Sequence, residues 1–137
     1  MTSPRLAYTR ALKGTRGSRK SDERKLQCQI VALLRVAIAP KVIAYAVPNG
    51  MHSNAIHVSR MKAAGLRPGV ADLTIILPGG HVHQVEVKVK GGVQSPDQKA
   101  FQLACIANGT PYHIVYDLDQ ALAVLTDIGA LRTRAAA

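Results

Sequence analysis

A chain of 137 residues is long enough to form one domain that buries its own core without disulfide or metal staples. With 47% hydrophobic and 19% charged residues it is not a disordered chain, and no apolar run reaches the roughly 18 residues needed to span a bilayer. Eighteen Lys and Arg against eight Asp and Glu give a net charge of +10, the footprint of a polyanion binder. Four Tyr, one Phe and no Trp leave little aromatic surface for stacking bases in the manner of an RRM or OB domain.

The first twenty residues carry Arg5, Arg10, Lys13, Arg16, Arg19 and Lys20 with no acid and no apolar core, which excludes a secretory signal. They read as a basic arm that lies along a DNA backbone, although a mitochondrial presequence has the same composition. Ser21-Asp22-Glu23 has the form of a helix start, and Leu26, Ile30, Leu33, Leu34 and Ala37 form an apolar stripe that Pro40 ends. Glu23 continues that stripe inward or else serves as an N-terminal dipole partner. Val42 to Val47 reads as a strand closed by Pro48-Asn49-Gly50, and Asn54 to Ala64 as a short helix ended by Gly65. Two strands follow, Ala71–Leu77 and Val82–Lys90, joined at Pro78-Gly79-Gly80. Ser95 caps the next helix, with Pro96 at its first position and Gln98 as capping-box partner, and Gly109 ends it. A strand from Tyr112 to Tyr116 and a helix from Leu118 to about Ile128 complete the order α-β-α-β-β-α-β-α, an α/β fold with a mixed sheet flanked by helices. Cys28 and Cys105 lie in apolar helical patterns without C-x-x-C spacing and read as buried hydrophobes in a reducing compartment.

The hairpin carries the chemistry. Glu86 is one of two glutamates in the chain, and strand alternation puts it on one face with Lys88 while Val85, Val87 and Val89 take the other. In the preceding strand Leu73, Ile75 and Leu77 form the apolar set, with Asp72, Thr74 and Ile76 opposite. Bringing the two apolar sets onto one buried face requires Leu77 to pair with His81 and Leu73 with Val85, which predicts Asp72 beside Glu86. Directly opposed carboxylates repel at a Cβ separation of about 4.5–5.5 Å, so a cation must offset them. Lys88 supplies part of that charge and a hard divalent ion the rest; the rival reading is a surface ion cluster. Asp72 and Glu86 as ligands, with Lys88 orienting or deprotonating water, constitute a phosphodiester-cleaving centre.

Pro48-Asn49-Gly50, Pro68-Gly69-Val70-Ala71-Asp72-Leu73, Glu86-Val87-Lys88 and Gln94-Ser95-Pro96-Asp97-Gln98-Lys99 together resemble the VRR-NUC domain of the PD-(D/E)XK nuclease superfamily. The resemblance spans about Ser21 to Leu125. It implies a restriction-endonuclease-like fold over 21–130, between a 1–20 arm and a 131–137 tail, and an active Mg²⁺- or Mn²⁺-dependent DNA endonuclease. By the same resemblance Glu23 and the Val87 backbone carbonyl join Asp72 and Glu86 around the metal. Gln98 is the second-helix glutamine near Lys88, with its capping role as the rival reading. Asn49 and Ser95 sit near substrate. Standalone members of this phage type imply a homodimer acting on branched DNA such as Holliday junctions, in a bacterial or phage-infected cytoplasm, with no membrane and no small-molecule cofactor.

Arg60, Lys62 and Arg67 before the acid motif, with Lys90 and Lys99 beyond it, are expected to hold DNA backbone, an affinity that falls with salt. His81 and His83 read as turn and edge residues, and His52, His57 and His113 have no ligand spacing. Tyr8 and Tyr116 lack the Arg/His constellation of a recombinase. Two other readings stay open: a flap or single-strand nuclease, and a basic DNA-binding accessory protein without catalysis.

Overall fold

A computed structural model of the chain describes residues 16–48 and 54–133. Helix α1 spans Arg16–Ala37 and strand β1 Ile43–Ala46; helix α2 (Ala55–Ala63) leads to the hairpin β2 (Leu73–Leu77) and β3 (His81–Val87). Helix α3 (Pro96–Ala107), strand β4 (Tyr112–Val115) and helix α4 (Leu118–Asp127) follow, giving the expected α/β order. The sheet runs β1-β2-β3-β4; the first two pairings are antiparallel and β3–β4 is parallel. A parallel neighbour requires a crossover, and α3 provides it.

Leu26, Ile30 and Leu34 recur every fourth residue on α1 and are buried, which lays that stripe against the sheet. With Leu73, Ile75, Val85, Val87, Val115, Ala121, Leu125 and Ala130 they make the core, between one sheet face and the pair α1 and α4. The hairpin register is the one hydrophobic alternation requires: Leu77 pairs with His81 and Leu73 with Val85. Even-numbered residues therefore face the opposite side, where Thr74 bonds Gln84 across the strands at 3.1 Å. Helix α3 carries the expected capping box: Ser95 accepts from the Gln98 N–H while Gln98 accepts from the Ser95 N–H.

Four expectations need correction. Helix α1 begins at Arg16 rather than Ser21. No proline interrupts residues 16–23, so the chain stays helical upstream of an apparent cap, and Glu23 lies beyond the first turn, where the dipole reading no longer applies. Cys28 is exposed because it sits off the Leu26–Ile30–Leu34 stripe, whereas Cys105 is buried as expected. His83 is not an edge residue, since β3 lies between β2 and β4. Strand β2 starts at Leu73 and β3 ends at Val87, so the ladder stops one pair short of Asp72 and Glu86.

Helix α2 buries none of its residues, and Ile56 on it is exposed. Asn54 caps it by accepting from the His57 N–H at 2.9 Å. Among the described residues no helix is long and apolar enough to cross a membrane.

Candidate active site

The ladder ends where it does because a side chain takes over from the backbone. Asp72 Oδ2 accepts the Val87 N–H at 2.7 Å, while the Asp72 carbonyl accepts from the Val47 N–H at 3.0 Å. This ties the start of β2 to the end of β3 and leaves Asp72 beside Glu86, as expected, without a backbone pair between them. Glu86 is 1% exposed and Lys88 7%, which removes the reading of a solvated surface ion cluster.

Glu23 reaches the same place from α1. One of its carboxylate oxygens lies 4.0 Å from Lys88 Nζ, and the Val89 N–H donates to it. Gly92 makes this possible: a Cβ there would stand 3.1 Å from Glu23 Oε1 and 3.0 Å from the Val89 carbonyl. Gly69, at φ +79°, lets the loop before β2 press on the first turn of α3, where a Cβ would come 2.6 Å from both the Asp97 carbonyl oxygen and the Gln98 nitrogen. That contact sets Gln98 over the sheet. Lys88 Nζ donates to Gln98 Oε1 at 3.1 Å, and the same oxygen accepts the Ser95 N–H at 2.8 Å. The two readings of Gln98, cap partner and neighbour of the lysine, are both true of one atom.

Burial raises the pKa of all three acids. For Asp72 the Val87 N–H and then Lys88 oppose the shift. For Glu23 the first counterweight is Lys88, and Asp72 pushes it higher still. For Glu86 the Gln94 side chain, Lys88 and, more weakly, the Tyr112 hydroxyl pull down while Asp72 pushes up. Lys88, joined by Lys20 at Glu23, offsets only part of the charge that these three carboxylates carry when ionised. Glu86 Oε1 and the Tyr112 hydroxyl are both buried without a partner in good hydrogen-bond geometry, and the hydroxyl lies close enough to Glu86 to act as a weak donor to it. An orphaned, desolvated carboxylate oxygen suits a hard cation.

The fit is to an open site. Among the described residues no three His, Cys, Asp or Glu side chains close into a metal cage. Magnesium keeps several waters and needs only one or two carboxylates alongside substrate phosphate, which Asp72 and Glu86 can supply.

The basic residues expected to hold DNA are spread over several elements. Arg60 and Lys62 are in the last turn of α2, Lys90 is exposed beyond β3, and Lys99 is exposed in the first turn of α3. Arg67 lays its guanidinium 5.3 Å from the Phe101 ring centroid, and Phe101 meets Tyr112 edge-on. Asn49 lies outside the described residues. Gln94, Gln102 and Tyr112 escaped sequence reasoning as site residues: Gln94 Nε2 donates to Glu86 Oε2, and to Gln102 Oε1, at 2.9 Å each. Their one signal was Gln94 opening the fourth motif. His83 Nδ1 and His113 Nε2 also pair, 2.9 Å apart. Their rings are nearly parallel, with centroids 5.2 Å apart, close to the bond length plus two ring radii, so they meet edge to edge in one plane.

No family model matches the sequence, and no curated protein matches it either. Solved structures do resemble the fold. One described as a VRR_NUC domain superposes with a TM-score of 0.53 at 18% identity, covering 76% of this chain and 94% of that one. A second, described as a VRR_NUC domain protein, gives a TM-score of 0.56 at 19% identity over 76% of this chain and 84% of its own.

Proposed function

We propose that the protein, which has the restriction-endonuclease-like α/β fold of VRR_NUC domains with a mixed four-stranded sheet, is a divalent-metal-dependent DNA endonuclease acting on branched DNA, with Holliday junctions as the preferred class. The observation that carries the chemistry is the buried Asp72–Glu86–Lys88 group, in which Glu86 Oε1 has no well-aligned hydrogen-bond donor and only the Tyr112 hydroxyl near it. A surface ion pair does not explain a desolvated acid with a bare oxygen, and neither does a core built for stability.

Asp72, Glu86 and the Val87 carbonyl would hold Mg²⁺, or Mn²⁺ in its place; Glu23, which turns to Lys88, does not close a three-acid site with them. When bound, the ion supplies Lewis-acid polarisation of the phosphate and lowers the pKa of a coordinated water. The chain's own groups do the positioning. An ammonium has three N–H donors. Lys88 gives one to Gln98 and turns towards Glu23, which leaves a donor for the attacking water or a phosphate oxygen. Gln98 holds Lys88 and is itself held by the Ser95 cap, so the geometry is fixed before substrate arrives. Asp72, bonded to the Val87 N–H, fixes the peptide next to both acids. Arg60, Lys62, Arg67, Lys90 and Lys99, together with Asn49 and Ser95, would contact the DNA backbone. One centre per chain cuts one strand, so paired incision at a junction requires a homodimer.

The test is cleavage of junction, flap, duplex and single-stranded DNA with magnesium or EDTA. Cutting by the wild type, lost in Asp72→Ala, Glu86→Ala and Lys88→Ala with DNA binding retained, supports the proposal. Equal cutting by the Glu86 variant refutes it, and strongest cutting of flaps or single strands would reassign the substrate.

A further inference from the structure

Behind Glu86 lies a second layer of side chains that belongs neither to the acid pair itself nor to the helix cap. Gln94 sits in the loop before α3, and Gln102 lies on the body of that helix. An ionised carboxylate only accepts hydrogen bonds, so Gln94 must turn its NH₂ towards Glu86. One of its hydrogens then goes to Glu86 Oε2 and the other to Gln102 Oε1, both at 2.9 Å, which uses up the amide's donors. The direction of the chain is thereby fixed: Gln102 orients Gln94, and Gln94 occupies one oxygen of Glu86. The other oxygen, Oε1, stays buried without a well-aligned donor, the Tyr112 hydroxyl being the one group close to Glu86 that could give it a weak bond.

We infer that Gln94 and Gln102 are positioning residues that engage Glu86 through Oε2 and so leave Oε1 as its single ligating oxygen for a hard divalent cation. This rests on the nuclease reading and deepens it. Without the relay, Glu86 rotates about its terminal torsion and either oxygen can point anywhere within that arc, a freedom that weakens any ion it would hold. Gln102 acts only through Gln94, so the two residues form one unit rather than two independent supports.

The test reads manganese(II) alone, without DNA, by the loss of the free-ion EPR signal on titration with wild type, Gln94→Leu, Gln102→Leu and the double variant. Leucine keeps the bulk of glutamine, and thermal melts of each variant report folding separately. Removing an outer-shell partner commonly weakens metal binding by about 10- to 100-fold. Gln94→Leu is expected to lose affinity in the lower part of that range. Gln102→Leu should lose less, and the double variant no more than Gln94→Leu alone. With substrate present, kcat at fixed metal should fall while KM for DNA holds. Losses that multiply in the double variant, or unchanged manganese affinity in a folded Gln94→Leu, overturn the relay while leaving the site intact. A wild type that binds no manganese overturns the site reading itself, and the relay with it.

Discussion

Glu86→Gln should make the protein more stable while abolishing its activity. In the metal-free protein Glu86 is 1% exposed, has an unpartnered oxygen, and is held by burial above the usual carboxylate range. Leaving a buried polar atom unsatisfied costs about 1–3 kcal/mol, more when it is charged. The amide of Gln keeps the shape and can still accept from Gln94, its NH₂ takes the buried Oε1 position where the Tyr112 hydroxyl can accept from it, and the change removes both the charge and its repulsion with Asp72. It also forfeits attraction to Lys88, so a net gain of about 1–2 kcal/mol is expected. At roughly 2.1 cal/mol/K per residue, a chain of this size has an unfolding entropy near ~0.3 kcal/mol/K, so Tm should rise by about 3–7 °C in EDTA. The sign is checked by pH. A carboxylate whose folded pKa is raised favours the native state while it is protonated, and this advantage disappears as pH rises through the folded value. The stability gap between variant and wild type should therefore be widest at neutral pH and shrink on acidification towards 4.5. Saturating magnesium should stabilise the wild type and leave the variant unchanged. Calorimetry in EDTA and in magnesium reads all of this. A variant that melts below wild type at pH 7.5 would refute the claim that Glu86 is held at a cost.

Gln98→Ala should lose about 0.5–2 kcal/mol with the cap, together with cutting. Gln98→Glu preserves the capping box and so should recover the Tm, yet its charge beside Lys88 should keep cutting impaired. Gly69→Ala places a side chain at φ +79° against the α3 backbone, so a loss of at least about 1–2 kcal/mol is expected by thermal melt, together with displacement of Gln98. His83 and His113 have pKa values lowered, in each case first by burial and then by a neighbouring histidine, His81 and His83 respectively, while Asp127 opposes the shift at His113. Their stabilisation is complete above the unfolded value near 6.5 and is lost as pH falls towards the folded one, so a His83→Phe/His113→Phe variant should show a flatter Tm profile below pH 6.5. That limb runs opposite to the carboxylate one, and the paired variants separate them.

Sequence reasoning reached furthest where a local rule or a strict period applied. The register of β2 on β3 follows from period-two alternation of Leu73, Ile75, Val85 and Val87, since a slip of one residue would have put Glu86 in the core. The cap at Ser95 follows from residues only three apart. The start of α1 was illegible because Ser21-Asp22-Glu23 has the composition of a cap, while the turns upstream of it are mostly exposed and carry no apolar stripe to mark them as helix. The Asp72–Val87 bond was missed by one step: alternation places side chains on faces but does not say when a carboxylate displaces the ladder. Gln94, Gln102 and Tyr112 come from a loop, a helix and the parallel strand β4. Glutamine carries no charge and no periodicity, so its role emerges only once the crossover has brought those pieces together. His83 and His113, thirty residues apart, meet through the same parallel register.

Diffraction from crystals grown with manganese, read at a wavelength where that metal scatters anomalously, tests the account most directly. The account predicts one peak within bonding distance of Asp72 and of Glu86 Oε1, with Oε2 still on Gln94. A map without density there, with both acids bonded to protein groups instead, would contradict it.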